Sequence, residues 1–165
     1  MVVFDASVLI DLLHPRTPSD RQAKLEQLLA DLQRKKTKVV IPTPALSEFL
    51  ARAGKARDPY YSKLTSLAVF KIIAFDNRAA LECALLLDAA KTSGDKRAQA
   101  KTWAKAKFDW QIVAIAKVAN ARTIYSDDDD IARIGQRYGL AVLKTDDLPL
   151  PDSARQMGLD LTKSE

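Results

Sequence analysis

Five short runs of this chain are apolar almost throughout: VVF (2–4), KVVI (38–41), VFKIIAF (69–75), RTIY (122–125) and LAVL (140–143). They are rich in β-branched residues, and most lack the alternation of a strand with one wet face. Such runs are strands buried on both sides, which is the situation of a parallel sheet covered by helices. The intervening segments have helical patterning. ASVLIDLL follows the first run directly. Residues 19–36 place Leu25, Leu28, Leu29 and Leu32 on one stripe, with Ser19 as the candidate cap. Thr43 is positioned to cap a helix with Pro44 at its first position, continuing through Ala45 to Ala53 and stopping at Gly54. Another helix is expected from Asp58, with Pro59 in its first turn. A further one starts at Asp76 or Asn77 and carries Leu81, Leu85 and Leu86. Thr92 to Gln99 reads as a polar, basic connection. Helical spacing returns through Trp103, from Phe108 to Ala119, and from Ile131 to Tyr138. The expected fold is α/β, a three-layer α/β/α domain with a central, mainly parallel sheet of about five strands. It spans 1–145, and residues 146–165, with Pro149, Pro151 and Gly158, form a loop or loosely docked extension.

The acids raise a separate question. Four consecutive aspartates, Asp127 to Asp130, follow the fourth run. Two carboxylates about 5 Å apart repel by roughly 0.8 kcal/mol in water and roughly 3 kcal/mol at a surface-like dielectric. Such a cluster either caps a helix in open solvent or surrounds something positive. In an open α/β sheet, ligands gather beyond the carboxyl ends of the strands. Asp5 ends the first strand, and Glu48 is one turn into the helix after the second. Asp109 begins the Phe108–Ala119 helix that precedes the fourth strand, and the aspartate cluster follows that strand. The topology can bring these four positions to one sheet edge. Clustered carboxylates suit a hard divalent cation, Mg2+ or Mn2+, which removes their repulsion and binds phosphate oxygens.

Composition narrows the alternatives. The 165 residues suit one domain, 47% hydrophobic and 28% charged. No apolar run is long enough to span a membrane, and the N-terminus has acids where a signal peptide needs basic residues. With one cysteine and no export signal, a reducing, cytoplasmic setting is expected. A single histidine, His14, and a single cysteine, Cys83, leave no material for a zinc site or a Cys–His nucleophile. Cys83 reads as core. Gly54-Lys55 lacks the upstream glycine and the Ser/Thr of a phosphate-binding loop. The formal charge is +5, concentrated in LQRKKTK (32–38) and KTSGDKRAQAKTWAKAK (91–107). Blocks like these attract a polyanion or simply form a solvated helix face. Arg52, Lys55 and Arg57, just beyond Glu48, are better placed to hold a nucleic-acid backbone, and Lys107 stands beside Asp109. Trp103 and Trp110 could stack on bases, but helix packing is the expected use.

Taken in order, these segments resemble the PIN-domain ribonucleases. VFDASVLIDLL is similar to that family's opening strand-Asp-x-Ser segment, with Ser7 as the serine. IPTPALSEFL resembles the helix of its second acid and places Glu48 at the matching position. FDWQIVAIAKVANARTIYSDDDDIARI resembles the third-acid helix, the following strand and the Thr/Ser-x-Asp-x-Asp turn, so that Ser126, Asp128 and Asp130 match by position. The resemblance covers about residues 1–145. It implies metal-dependent hydrolysis of RNA phosphodiesters by attack of an activated water in line with the leaving oxygen. It also implies the role of a VapC-like toxin neutralised by a small antitoxin protein, and a homodimer. Asp5 and Asp109 are then the main metal ligands, and Glu48 is a ligand or water-orienting base. Asp128 serves a second or shared metal with Asp130 beside it, and Ser126 orients a carboxylate or water. Because four adjacent aspartates cannot all face one site at a helix start, Asp127 or Asp129 is expected in solvent. Trp110 in place of a smaller residue, the long basic linker before Asp109 and the C-terminal tail depart from the family pattern. These departures bear on substrate and partner.

Every acid also has a structural use available. Asp5 could cap the ASVLIDLL helix, Asp109 could favour a helix N-terminus, and Glu48 could pair with Arg52. Two other functions use the same fold class. A receiver-like signalling domain would be phosphorylated on Asp76, with Lys144 as its lysine. A catalytically silent module would only bind RNA or protein.

Overall fold

In a computed structural model, residues 1–92, 103–152 and 154 are described. The chain alternates as the sequence predicts. Strand β1 (Val2–Phe4) leads into α1 (Ala6–Leu13) and α2 (Ser19–Arg34), and β2 (Val39–Pro42) into α3 (Thr43–Arg52). A single 3-10 turn, Gly54–Ala56, joins α3 to α4 (Arg57–Ser66). Then come β3 (Phe70–Ile73), α5 (Asn77–Thr92), α6 (Trp103–Val118), β4 (Thr123–Tyr125), α7 (Asp129–Arg137) and β5 (Ala141–Leu143). The five strands form one parallel sheet in the order β3-β2-β1-β4-β5. Val3 lies between Val40 and Ile124, and all three are fully buried. The edge strands β3 and β5 are only part-buried. The gradient follows from helices covering both faces at the centre of the sheet and less at its margins.

This order excludes the receiver-like alternative. Asp76 follows β3 and Lys144 follows β5, so they stand at opposite edges of the sheet. Asp76 instead caps α5, its Oδ1 accepting from the Ala79 N–H at 2.9 Å. Lys144 pairs with Asp129 at 2.7 Å.

Several helix starts differ from expectation. Pro18 and Pro42, not Ser19 and Thr43, occupy the cap positions of α2 and α3, and neither helix has a side-chain cap bond. Proline serves there because the cap residue gives a carbonyl, not an N–H: Pro18 accepts from Gln22 N–H at 3.0 Å. The Thr43 hydroxyl is thereby left to accept from Phe75 N–H at 3.1 Å, tying α3 to the end of β3. Helix α6 is continuous from Trp103, so Asp109 lies near the end of its second turn rather than at an N-terminus. Ile112 to Ala116 are each 1% exposed or less, because α6 packs against α3, α5 and α7. Trp110 is buried edge-on to Tyr138, whose hydroxyl donates to Leu86 O at 2.7 Å. The Trp103 side chain and residues 93–99 of the expected connection lie outside the described residues, as do 153 and 155–165 of the expected extension.

On α5 the buried face is Ala79, Cys83, Leu86 and Ala90, and the helix packs against α6. Cys83 is core, as expected, whereas Leu81 and Leu85 are exposed. Gly135 marks a close approach between α7 and β5. A Cβ there would stand 2.7 Å from Val142 Cγ2. No helix among the described residues is long and apolar enough to cross a membrane.

Candidate active site

The strand order reverses between β1 and β4, and in open α/β sheets that reversal opens a crevice at the carboxyl ends. Asp5 follows β1 and Ser126 follows β4, one on each side of it. The Ser126 hydroxyl donates to Asp5 Oδ2 at 2.8 Å, and the Ser7 hydroxyl donates to the same oxygen at 3.2 Å. Asp5 stands at the cap position of α1 but makes no side-chain capping bond. Burial pushes its carboxyl above the usual aspartate range. The hydrogen bonds from Ser126, Ala6 N–H and Ser7 oppose that shift, and the negative charge of Glu48 adds to it.

The four aspartates divide into distinct duties. Asp127 accepts from Thr145 N–H at 2.9 Å and Thr145 Oγ1 at 3.1 Å, and it forms an ion pair with Arg21. Asp128 caps α7, its Oδ1 accepting from Asp130 N–H at 2.8 Å. Asp129 is the solvent-facing member, 87% exposed, and Lys144 lowers its pKa by hydrogen bond and charge. Asp130 has Arg133 at 3.6 Å. Capping therefore accounts for one residue of the four.

Carboxylate oxygens of Asp109, Asp128 and Asp130 all lie within 4.8 Å of one another. At that separation each charged pair repels by roughly 3 kcal/mol at an effective dielectric of about 20. A donor set made only of carboxylate oxygens fits a hard divalent cation, so these residues fit Mg2+ or Mn2+. The tight set differs from the expected main pair, since it contains Asp109 but not Asp5.

Asp5 and Glu48 nevertheless line the same cleft as Asp109 and Asp128, a space of about 700 Å3 that Ser7, Arg52 and Asp127 also face. The cleft thus joins the ends of β1 and β4 to α3 and α6. Glu48 takes the expected pairing with Arg52, at 2.7 Å and half exposed, while still facing the cleft. Lys55, Arg57 and Lys107 are not among its lining residues. Arg57 Nε donates to Leu50 O at 3.2 Å, a local tie across the α3–α4 junction.

Two contributors had no signal in the sequence reading. Phe108 presents a 51% exposed ring to the cleft beside Asp109. Arg21 lies 106 residues before its partner Asp127 and also binds Asp11. The one available hint was Asp11 itself, an acid inside the otherwise apolar stretch VLIDLL.

A PIN domain family model matches residues 2–137. Among solved structures, that of FitAB bound to an IR36 DNA fragment superposes with a TM-score of 0.64 at 19% identity, over 90% of this chain and 98% of that one. VapBC2 from Rickettsia felis, bound to a promoter DNA fragment, gives 0.58 at 18% identity over 87% and 98%. The sarcin-ricin loop cleaving toxin VapC20 of Mycobacterium tuberculosis gives 0.54 at 13% identity over 82% and 95%. A comparison with curated protein sequences finds no match. At these identities the structural likeness speaks for the fold.

Proposed function

This chain belongs to the PIN domain family, and on that premise we propose that it is a Mg2+- or Mn2+-dependent endoribonuclease acting as the toxin of a toxin–antitoxin pair. The observation that carries the reading is the convergence of Asp5, Glu48, Asp109 and Asp128, remote in sequence, on one cleft, two of them, Asp109 and Asp128, close enough to share a cation with Asp130.

Asp109, Asp128 and Asp130 would hold the ion, with Asp5 and Glu48 on the same cleft to complete its oxygen shell or orient water. When bound, the ion lowers the pKa of water and stabilises charge on the phosphate and the leaving oxygen. The protein's own contribution is orientation. Ser126 and Ser7 fix Asp5 through Oδ2. Ser126 Oγ also accepts from Asp128 N–H at 3.1 Å, so one buried hydroxyl sets two acids at once. Glu48, exposed on the rim, can accept a proton from the attacking water. Arg52 is placed to meet a backbone phosphate and Phe108 to stack on a base, while Lys55, Arg57 and Lys107 extend the basic surface beyond the cleft.

The toxin role is drawn from the solved relatives, named as FitAB and VapBC assemblies. It carries with it an antitoxin partner, a homodimer and a cytoplasmic setting. Residues 146–165 are read as an extension of a 1–145 nuclease domain. Its start is tied back, with Lys24 Nζ donating to Asp146 O at 2.7 Å and Leu148 packed on the core.

Asp5→Asn and Asp109→Asn should each abolish Mg2+-dependent cleavage of RNA while circular dichroism stays native. Full activity in both variants would overturn the nuclease reading.

A further inference from the structure

Among the described residues, Arg21 is the side chain that joins the most distant parts of the acidic site. Its Nε and Nη2 donate to Asp11 Oδ2 at 2.9 and 2.7 Å. Nη2 also donates to Asp127 Oδ2, and Nη1 to Asp146 Oδ1, both at 2.5 Å. One guanidinium on α2 therefore gathers carboxylates from α1, the turn after β4 and the segment after β5. Arg21, Asp11 and Asp127 are each about one-quarter exposed, so their pairing is partly shielded from solvent.

The clasped residue is adjacent to the proposed metal ligands. Asp127 immediately precedes Asp128, and Asp130 is three positions on. The backbone of the same turn is fixed from the other side. Asp127 N–H donates to Ser7 Oγ at 3.2 Å, and Asp128 N–H to Ser126 Oγ. Both hydroxyls donate in turn to Asp5. The turn is thus held by Asp5 through two serines and by Arg21 through the Asp127 side chain.

We propose that Arg21 is a positioning residue: by clasping Asp127 to Asp11 and Asp146, it fixes the turn from which Asp128 and Asp130 reach a divalent cation. The proposal rests on the metal-site reading above. It separates from a simple charge effect by sign. Arg21 is a cation near an acidic site, so through-space charge alone makes its removal strengthen cation binding. Loss of positioning weakens it. Lysine keeps the charge but replaces the rigid fork with a point donor on a flexible stem, so it cannot reproduce the three-way clasp.

The test is calorimetric titration of the full chain with Mn2+, alongside thermal melts and circular dichroism of each variant. R21M should bind Mn2+ about tenfold or more weakly, the scale typical of residues that orient metal ligands. R21K should also bind more weakly despite keeping its charge. Equal or tighter binding by R21M and R21K would overturn the inference while leaving the metal site standing. If R21M does not fold, R21K, which keeps the charge, carries the test, with unchanged binding as the contrary result. Absence of Mn2+ binding by the wild type would overturn both the metal site and the clasp.

Discussion

The inner wall of the cleft and its rim are built on opposite terms. Asp5 and Asp109 are each 5% exposed and Ser126 is fully buried. On the rim, the side chains of Glu48 and Arg52 are 47% and 66% exposed, and their mutual ion pair is the i,i+4 pairing of an ordinary surface helix. The inner acids carry a folding cost because a buried carboxylate loses its hydration. The rim carries almost none. A chain accepts the first arrangement where the position of a charge matters, and the second where adaptable contact with a large ligand is enough.

The largest expected effects fall on the inner wall, with activity and stability moving in opposite directions. Asp5→Asn or Asp109→Asn should lower RNA cleavage by more than about 100-fold, exceeding the usual cost of losing a supporting residue. For Asp5 the stability consequence has a definite sign. Burial, the largest cause of the shift, raises its folded pKa above the ordinary aspartate value. Its contribution to stability is therefore full below the unfolded pKa and is lost as pH rises through the folded one. Asn stays neutral throughout. Asp5→Asn should melt higher than wild type at about pH 7, and the difference should disappear near about pH 3. Adding Mg2+ should raise the melting temperature of wild type more than that of the variant, because the ion binds the folded site. Equal melting temperatures across that range would show that the inner wall carries no strain of charge.

Ser126→Ala sharpens the same contrast on a smaller scale. It removes a donor to Asp5 and the acceptor that Asp128 N–H uses on Ser126, two hydrogen bonds worth about 1 kcal/mol each. Urea unfolding should register that loss, and cleavage should fall by roughly tenfold or more through misplacement of both acids. Ser126→Thr, which keeps the hydroxyl, should recover part of the activity.

What could be foreseen from the sequence divides along the same line. The strands, their parallel arrangement and the acids at their carboxyl ends were legible because each is encoded locally, by a short apolar run and the residue that ends it. Asp109 lines the cleft but lies within α6 rather than at a helix start, because the basic stretch before it masks the first turn of that helix. Ser19 and Thr43 were misread as caps because a preceding proline fills that position with its carbonyl. Arg21 and Phe108 left no local trace. Arg21 matters only through residues 10, 106 and 125 positions away, and Phe108 only through its exposure beside Asp109. The preference for Asp128 over its neighbours rests on the family pattern; in the structure Asp127 and Asp128 both line the cleft, and Asp128 shares the carboxylate cluster with Asp130.

On the rim the effects should be modest and appear in binding. Arg52→Ala removes the guanidinium that faces the cleft beside Glu48. It should raise KM for RNA a few-fold with little change in kcat, and the increase should shrink at higher salt as phosphate contacts are screened. A fall in kcat with unchanged KM would instead place Arg52 among the reacting groups and erase the division between wall and rim.

The smallest effect is expected at Asp129, and it tests the division within a single run of four identical residues. Asp129 is 87% exposed with Lys144 as its partner, whereas Asp128 faces the cleft and caps α7. Asp129→Asn should leave melting temperature, Mn2+ affinity and cleavage indistinguishable from wild type. Asp128→Asn, which can keep the capping acceptor while losing the charge, should retain stability and lose metal affinity. Because both substitutions remove one charge from adjacent positions of the run, the pair compares surroundings at equal change in net charge. If both variants lost Mn2+ binding equally, net negative charge rather than geometry would hold the ion. The separate duties of the four aspartates would then have no bearing on function.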